Sequence, residues 1–254
     1  MINGLGKFRE HFAGLENRYV LIGGVACALL FKRSGLEFRS TKDVDMVLCV
    51  EVVDEAFSTA FRKFLNGGGY QAREHASGRR ELYRFHKPTN REYPHMLEVF
   101  SRRPGTLAFD MDTAFARIPV ANEQVSLSAI LLEDNYYDAI ANARREISGI
   151  SLVDETLLIP FKAKAYLDLS QRAERGEPVD NKNILKHRND VLRLTQLLII
   201  SAPVDVSDTL RDDVSDFLRH IARGNLPEGK SLGLPFSTQR AMELLHAVFL
   251  SGKQ

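Results

Sequence analysis

The sequence predicts an α+β protein, in which a mixed sheet with flanking helices is followed by a helical domain. Over the first part of the chain, short apolar strand patterns alternate with helical ones. From Asp154 onward, nearly every segment has helical periodicity instead. We therefore expect an α+β domain over residues 1–150 and a helical domain over residues 151–254.

The elements of the predicted α+β domain follow from apolar runs and the turn residues between them. Residues 19–22 form a wholly apolar strand, and Gly23-Gly24 is the turn that follows it. The segment Ala76-Ser77-Gly78-Arg79 is typical of a hairpin loop. In chain order we predict helix 4–17, strand 19–22, helix 25–32, strand 43–50, helix 53–65, strands 70–74, 81–86, 95–100, 117–121 and 124–132, and helix 136–145.

The predicted helical domain has loops that are recognisable by composition. Arg175–Pro178 and Asn225–Gly229 are rich in the residues that end helices. We predict helices over 154–172, interrupted near Pro160, and over 181–201, 207–223 and 238–251.

Composition narrows the class of protein. The chain has 254 residues, 44% of them hydrophobic, and a net charge of +1, which is ordinary for a globular protein. It has no run of about 18 apolar residues and no apolar leader at its start, so we expect a cytoplasmic protein without a membrane partner. The two cysteines, Cys27 and Cys49, make neither a disulfide framework nor a zinc site and are interpreted as core residues.

The segment Asp43-Val44-Asp45 suggests a metal site. Side chains alternate along a strand, so both carboxylates would share one face, with Arg39 and Thr41 on that face before them. The two Cα atoms would then lie about 7 Å apart, and carboxylate oxygens are the ligands that Mg²⁺ or Mn²⁺ prefers.

The pair Gly23-Gly24 lies about twenty residues earlier, at a predicted strand-to-helix turn. Glycine lets the backbone approach a phosphate group closely, and the start of a helix offers free N–H groups. Each motif alone is common, and it is their order and spacing that indicate a phosphoryl-transfer site.

The chain resembles the nucleotidyltransferase superfamily shared with DNA polymerase beta. The resemblance lies in the order of a strand, Gly-Gly, a helix and Asp-x-Asp on the next strand. The resemblance implies a third carboxylate on a later, adjacent strand. Glu98 is the best candidate, because Leu97 and Val99 would face the core and leave Glu98 on the opposite side. The alternative is a surface strand residue. With Asp43 and Asp45, Glu98 would bind the metal ions and act in catalysis.

The sequence is also similar to the AbiEii toxin-like branch of that superfamily. Arg39-x-Thr41-x-Asp43-x-Asp45 resembles the extended first motif of the branch, and Lys162, Ala165 and Asp190 match its helical segments. The likeness spans residues 18–195, but Gly23-Gly24 stands where many members carry Gly-Ser. It implies that Gly23, Gly24, Arg39, Thr41 and Lys162 bind the nucleotide. A lysine that reaches solvent remains the alternative for Lys162, as does a surface ion pair for Lys186 and Asp190.

The expected function is transfer of a nucleoside monophosphate from an NTP to an acceptor hydroxyl, as in a toxin of a toxin–antitoxin or abortive-infection system. The alternative is a non-catalytic nucleotide- or partner-binding module that keeps the fold. Between Arg62 and Arg103 there are ten Lys or Arg against four Asp or Glu. This basic stretch favours an RNA acceptor over a small cationic one, and a solvated face or an acidic partner is the alternative. The predicted basic rim comprises Arg79, Arg80, Arg84, Lys87 and Arg91.

Overall fold

The structure, a computed structural model, describes residues 2–49, 55–74, 80–100, 134–198 and 203–251. The chain divides into two compact units. Among the described residues, the first unit runs to Phe100 and resumes from Asp134 to Val153, and the second begins at Asp154. The predicted strands 117–121 and 124–132 and the predicted loop 76–79 lie outside the described residues.

The first unit combines strands and helices in the predicted α+β arrangement. Its elements are α1 (Leu5–His11), β1 (Tyr19–Ile22), α2 (Gly23–Arg33), β2 (Asp43–Leu48), α3 (Glu55–Gly68), β3 (Gln71–Glu74), β4 (Arg80–His86), β5 (Met96–Phe100), α4 (Asp134–Asn142), β6 (Arg144–Glu146) and β7 (Ser151–Val153).

The strands form one mixed sheet with the order β3-β4-β5-β2-β1-β7-β6. Strand β2 is central, parallel to β5 on one side and antiparallel to β1 on the other. A central strand is buried along its apolar positions, and Val44, Met46 and Leu48 of β2 are all buried. This position brings residues from both neighbouring strands beside β2.

A cluster of aromatic rings covers one face of the sheet. The ring of Tyr19 on β1 lies 5.3 Å from that of Phe8 on α1, and the ring of Phe85 on β4 lies 5.8 Å from that of Phe61 on α3. Fully burying one such ring contributes about 1.5–3 kcal/mol. Helices α1 and α3 therefore fix this face as core and leave the residues that alternate with it for the opposite face.

The last two strands of the first unit form a tight hairpin. Ser148 and Gly149 both have positive φ, 54° and 72°, as a type I′ turn requires. The backbone N–H groups of Ile147 and Ile150 each donate to the other's carbonyl, at 2.9 and 3.1 Å. The predicted helix 136–145 instead ends at Asn142, and the hairpin sets β7 parallel to β1.

The second unit is helical, as predicted. It contains α5 (Glu155–Glu174), α6 (Asn181–Leu194), α7 (Asp208–Ile221) and α8 (Thr238–Leu245), with single short turns after α6, before α8 and after α8. Helices α5 and α6 are capped by the residues directly before them, Asp154 and Asp180, whose side chains accept from first-turn N–H groups.

The predicted interruption at Pro160 is wrong, because α5 continues through it. Proline lacks an N–H and costs about 3 kcal/mol inside a helix. Its neighbours Leu158, Ile159 and Phe161 are buried, and their packing outweighs the lost hydrogen bond. Within the described ranges, no helix is both long enough and apolar enough to cross a membrane.

Candidate active site

The two aspartates of β2 share one side of the strand. Asp43 and Asp45 are partly exposed, whereas Val44 and Met46 between and after them are buried. This alternation follows from the pleat of a strand, in which every second side chain points to the same face. The face opposite the aromatic core therefore carries the Asp-x-Asp carboxylates.

Glu98 lies on the neighbouring strand at the same level. In the parallel pairing of β2 with β5, Asp45 is the direct partner of Glu98, and Asp43 is the partner of Met96. Paired strands are about 4.8 Å apart, and residues opposite each other point to the same face. The predicted third carboxylate is therefore an immediate neighbour of Asp45.

The glycine turn that follows β1 lies beside Asp45, on the side opposite Glu98. Ile22, the last residue of β1, is paired with Asp45, so Gly23 follows directly beside it. Gly23 has a φ of 67°, in the left-handed region that favours glycine. A Cβ atom at this position would overlap the Asp45 carboxylate. Residue 23 must therefore be glycine both for its backbone conformation and for the approach to Asp45.

Thr41 and Arg39 lie beside Gly24, at the start of α2. A Cβ atom on Gly24 would be 2.5 Å from Thr41 Oγ1 and 3.8 Å from an Arg39 guanidinium nitrogen. The Arg39 guanidinium also lies over the Phe38 ring, 5.2 Å from its centroid. The Thr41 hydroxyl thus occupies the space that a side chain at residue 24 would take. It supplies a hydroxyl at a turn that has none of its own.

Two basic side chains contact the carboxylates. The Arg84 Nε donates to Glu98 Oε1, and the two residues are direct partners in the pairing of β4 with β5. His95 Nδ1 lies 3.7 Å from Asp43 Oδ1. Sequence reasoning assigned Arg84 to a basic rim and did not pair it with Glu98, because the register between β4 and β5 cannot be read from local spacing.

The rest of the predicted basic rim has only two side chains that the structure describes as exposed. Lys87 and Arg91 are exposed in the loop from Lys87 to His95, which joins β4 to β5. The backbone N–H of His95 donates to the Lys42 carbonyl at 3.1 Å, so this loop lies against the residue before Asp43. Arg79 lies outside the described residues, and Arg84 is largely buried beside Glu98.

Lys162 belongs to the helical unit and is buried there. Its Nζ lies 3.0 Å from Asp190 Oδ2, and Arg193 Nη1 lies 3.7 Å from the other oxygen of the same carboxylate. Asp190 is fully buried, so the alternative of a surface ion pair between Lys186 and Asp190 is wrong. Contact between Lys162 and a phosphate remains a prediction.

The donor set of the first unit suits a hard divalent cation. One face of the sheet carries the carboxylate oxygens of Asp43, Asp45 and Glu98. Gly23 has no side chain that would overlap the Asp45 carboxylate. The side chains do not form a closed ligand shell, since Arg84 engages Glu98. Within the described part of the chain, no three His, Cys, Asp or Glu side chains are grouped as metal ligands.

Comparisons with family models, with curated proteins and with solved structures find no match to this chain.

Proposed function

We propose that this protein is a metal-dependent nucleotidyltransferase that moves a nucleoside monophosphate from an NTP to an acceptor hydroxyl. The observation that supports it most is the strand register at Asp45. There, Glu98 is the partner on one side and Ile22, directly before Gly23, is the partner on the other. Three features that are far apart in the sequence thus become neighbours, which is what a phosphoryl-transfer site of this class needs.

Asp43, Asp45 and Glu98 are the residues that hold Mg²⁺ or Mn²⁺ in this proposal. When bound, the ions neutralise charge on the triphosphate and lower the pKa of the acceptor hydroxyl. The acceptor oxygen forms a bond to the α-phosphorus, the bond to the bridging oxygen of the β-phosphate breaks, and pyrophosphate leaves. Glu98, the partner of Asp45 on β5, would either ligate the second ion or accept the hydroxyl proton.

The phosphate groups are held by the start of α2 and its neighbours. The first N–H groups of a helix have no partner within it and favour an anion. Gly23 and Gly24 begin α2, and without side chains they let other groups approach the backbone closely, as Asp45 and Thr41 do. The Thr41 hydroxyl and the Arg39 guanidinium lie beside Gly24 and add a donor and a positive charge.

Labelled nucleotides test the proposal directly. The protein is incubated with Mg²⁺, total RNA and NTPs labelled at either the α- or the γ-phosphate. We expect the α label, and not the γ label, to be transferred to RNA. Asp45→Asn should lower the rate at least about 100-fold, as loss of an electrostatic catalytic group does. Asp216→Asn, an exposed aspartate of the helical unit, is the matched control and should match wild type.

Equal labelling by wild type and Asp45→Asn would refute the assignment of Asp45. Tight NTP binding without any transfer, over a panel of RNA, protein and small-molecule acceptors, would favour the non-catalytic binding module.

RNA is the acceptor that the charge near the site favours. Lys42, Lys87 and Arg91 are exposed at the end of the sheet where β2 and β5 begin, the end that carries Asp43. Phosphate contacts of this kind give affinity that falls with salt and does not depend on sequence. A cationic acceptor would be repelled by the same three charges.

Measuring tRNA binding against salt concentration separates these cases. We expect a triple variant, Lys42→Ala with Lys87→Ala and Arg91→Ala, to bind more weakly and to reduce the salt slope by roughly one unit per lost phosphate contact. The control removes three exposed basic residues of the helical unit, Lys182, Arg223 and Lys230. Equal losses in the two triple variants would count against RNA held beside the carboxylates.

The resemblance to the toxin-like branch adds an antitoxin protein as a proposed partner. A neighbouring gene for a small DNA-binding protein would support it.

A further inference from the structure

Arg84 and Glu98 form a largely buried ion pair beside the candidate metal ligands. They are direct partners across β4 and β5, and only 17% and 14% of their side chains are exposed. Ion pairs between a guanidinium and a carboxylate are stronger when shielded from water than on an open surface. This pair therefore restrains the Glu98 carboxylate from the side of β4.

Glu98 has Asp45 as its partner on the opposite side. Arg84, Glu98 and Asp45 thus form a row across three adjacent strands, with about 4.8 Å between strands. A cation bound by Asp45 and Glu98 would share the Glu98 carboxylate with the Arg84 guanidinium. Two positive charges at this spacing repel each other, and each reduces the gain that the other makes from Glu98.

We propose that Arg84 is a positioning residue that holds Glu98 and competes with the divalent cation for it, and so sets the affinity of the carboxylate site for that cation. The inference rests on the proposed function, since it concerns the ion that this function requires. It assigns to Arg84 a role other than phosphate or RNA binding. In the metal-free protein, Arg84 is the counter-charge that lets Glu98 lie next to Asp45.

Mn²⁺ binding to the full chain, without nucleotide, tests the inference. The free Mn²⁺ signal is followed by electron paramagnetic resonance. We expect Arg84→Gln to bind Mn²⁺ roughly threefold to tenfold more tightly than wild type, because one repelling charge is gone. Arg84→Lys keeps the charge and should stay within about twofold of wild type. In the double variant with Glu98→Gln, the gain from Arg84→Gln should disappear.

The matched control is Arg172→Gln. Arg172 Nε lies 2.6 Å from Glu177 Oε2 in the helical unit, and 19% of its side chain is exposed, close to the value for Arg84. Arg172→Gln should leave Mn²⁺ affinity unchanged. An increase of the same size in this variant would show that general charge, and not competition at Glu98, sets the affinity.

A spectroscopic measurement on the unmutated protein covers the case in which Arg84→Gln does not fold. The Nε–Hε resonance of Arg84 should shift as Mg²⁺ is added, and it should not respond to Mg²⁺ in Glu98→Gln. An Arg84 resonance that ignores Mg²⁺ in wild type would overturn the inference. So would an Arg84→Gln variant that folds and binds Mn²⁺ no more tightly than wild type.

These outcomes are separate from the failure of the proposed function. Tighter Mn²⁺ binding by Arg84→Gln, with no nucleotide transfer by any variant, would keep the role of Arg84 and reject the enzyme. Transfer that depends on Asp45, with Mn²⁺ affinity indifferent to Arg84, would keep the enzyme and reject this role.

Discussion

The sheet unit places three carboxylates on one partly exposed face, whereas the helical unit holds two buried aspartates that are each paired with a lysine. Asp43, Asp45 and Glu98 are neighbours on β2 and β5. In the helical unit, Lys162 is paired with Asp190 at 3.0 Å, and Lys164 with Asp213 at 3.4 Å. In the sheet unit Glu98 is balanced by Arg84 but also adjoins another carboxylate, whereas each of these buried aspartates of the helical unit adjoins a lysine.

This difference in the surroundings of the acidic residues distinguishes a candidate binding site from ion pairs that stabilise the fold. Carboxylates held side by side repel one another even where a basic partner such as Arg84 offsets part of the charge, and a bound cation would relieve that repulsion. A buried Lys–Asp pair needs no ligand to explain it, because each charge satisfies the other. Variants that remove one carboxylate should therefore have opposite effects in the two units.

The largest effect on stability is expected in the helical unit. Asp190→Asn keeps the size of the side chain and leaves Lys162 buried without its countercharge. Breaking one side of a buried pair costs about 3–5 kcal/mol, which urea unfolding followed by circular dichroism can measure. Replacing both partners, as Lys162→Met with Asp190→Leu, should recover most of the loss, since well-packed apolar residues can replace a buried pair.

A free energy of unfolding for Asp190→Asn within about 1 kcal/mol of wild type would contradict this reading. Lys162 would then be a lysine that does not depend on Asp190, and its predicted contact with phosphate would gain support.

A smaller loss is expected at the glycine turn of the sheet unit. Gly23 and Gly14 both have positive φ, 67° and 82°, so alanine at either strains the backbone by about 1–2 kcal/mol. Only Gly23 faces an obstacle, because its Cβ would overlap Asp45, whereas a Cβ on Gly14 has no atom within 4 Å. Gly23→Ala should therefore lose about 1 kcal/mol more than Gly14→Ala and also reduce nucleotide transfer. Equal losses from the two variants, with transfer unchanged, would remove Gly23 from the site.

The parts of the fold that sequence predicts well are those with strong local signals. Tyr19–Ile22 is wholly apolar and ends at two glycines, and β1 has the predicted limits. The β6–β7 hairpin was missed because Arg144–Glu146 is a short, exposed, polar edge strand without apolar alternation. Its turn, Ser148-Gly149, carries the one signal that would have indicated a two-residue hairpin.

In the candidate site, too, local sequence signals predict some features, and others depend on long-range packing. Asp43, Asp45 and the glycine turn follow from local pattern. Glu98 follows from the third carboxylate that the resemblance implies, and the alternation of β5 selects it as the candidate. The pair of Arg84 with Glu98 depends on how β4 aligns with β5, which long-range packing decides. The balance of Lys162 by Asp190 depends likewise on the packing of α5 against α6, since the two residues lie 28 positions apart.

The smallest effect tests the carboxylate cluster itself. Asp43→Asn removes one of the like charges and gives up only a 3.7 Å approach to His95, whose side chain is 64% exposed. In the absence of divalent ions, we expect the variant to be more stable than wild type by about 0.5 kcal/mol, because repulsion from Asp45 is relieved. The control, Asp216→Asn, breaks an exposed pair with Arg219 and should be neutral or slightly less stable. Adding Mg²⁺ should then reverse the order, since a ligand that binds only the folded state raises its melting temperature and wild type keeps the full set of carboxylates. Loss of stability in metal-free Asp43→Asn, together with an unchanged response to Mg²⁺, would mean that Asp43 serves the structure of β2 and not an ion.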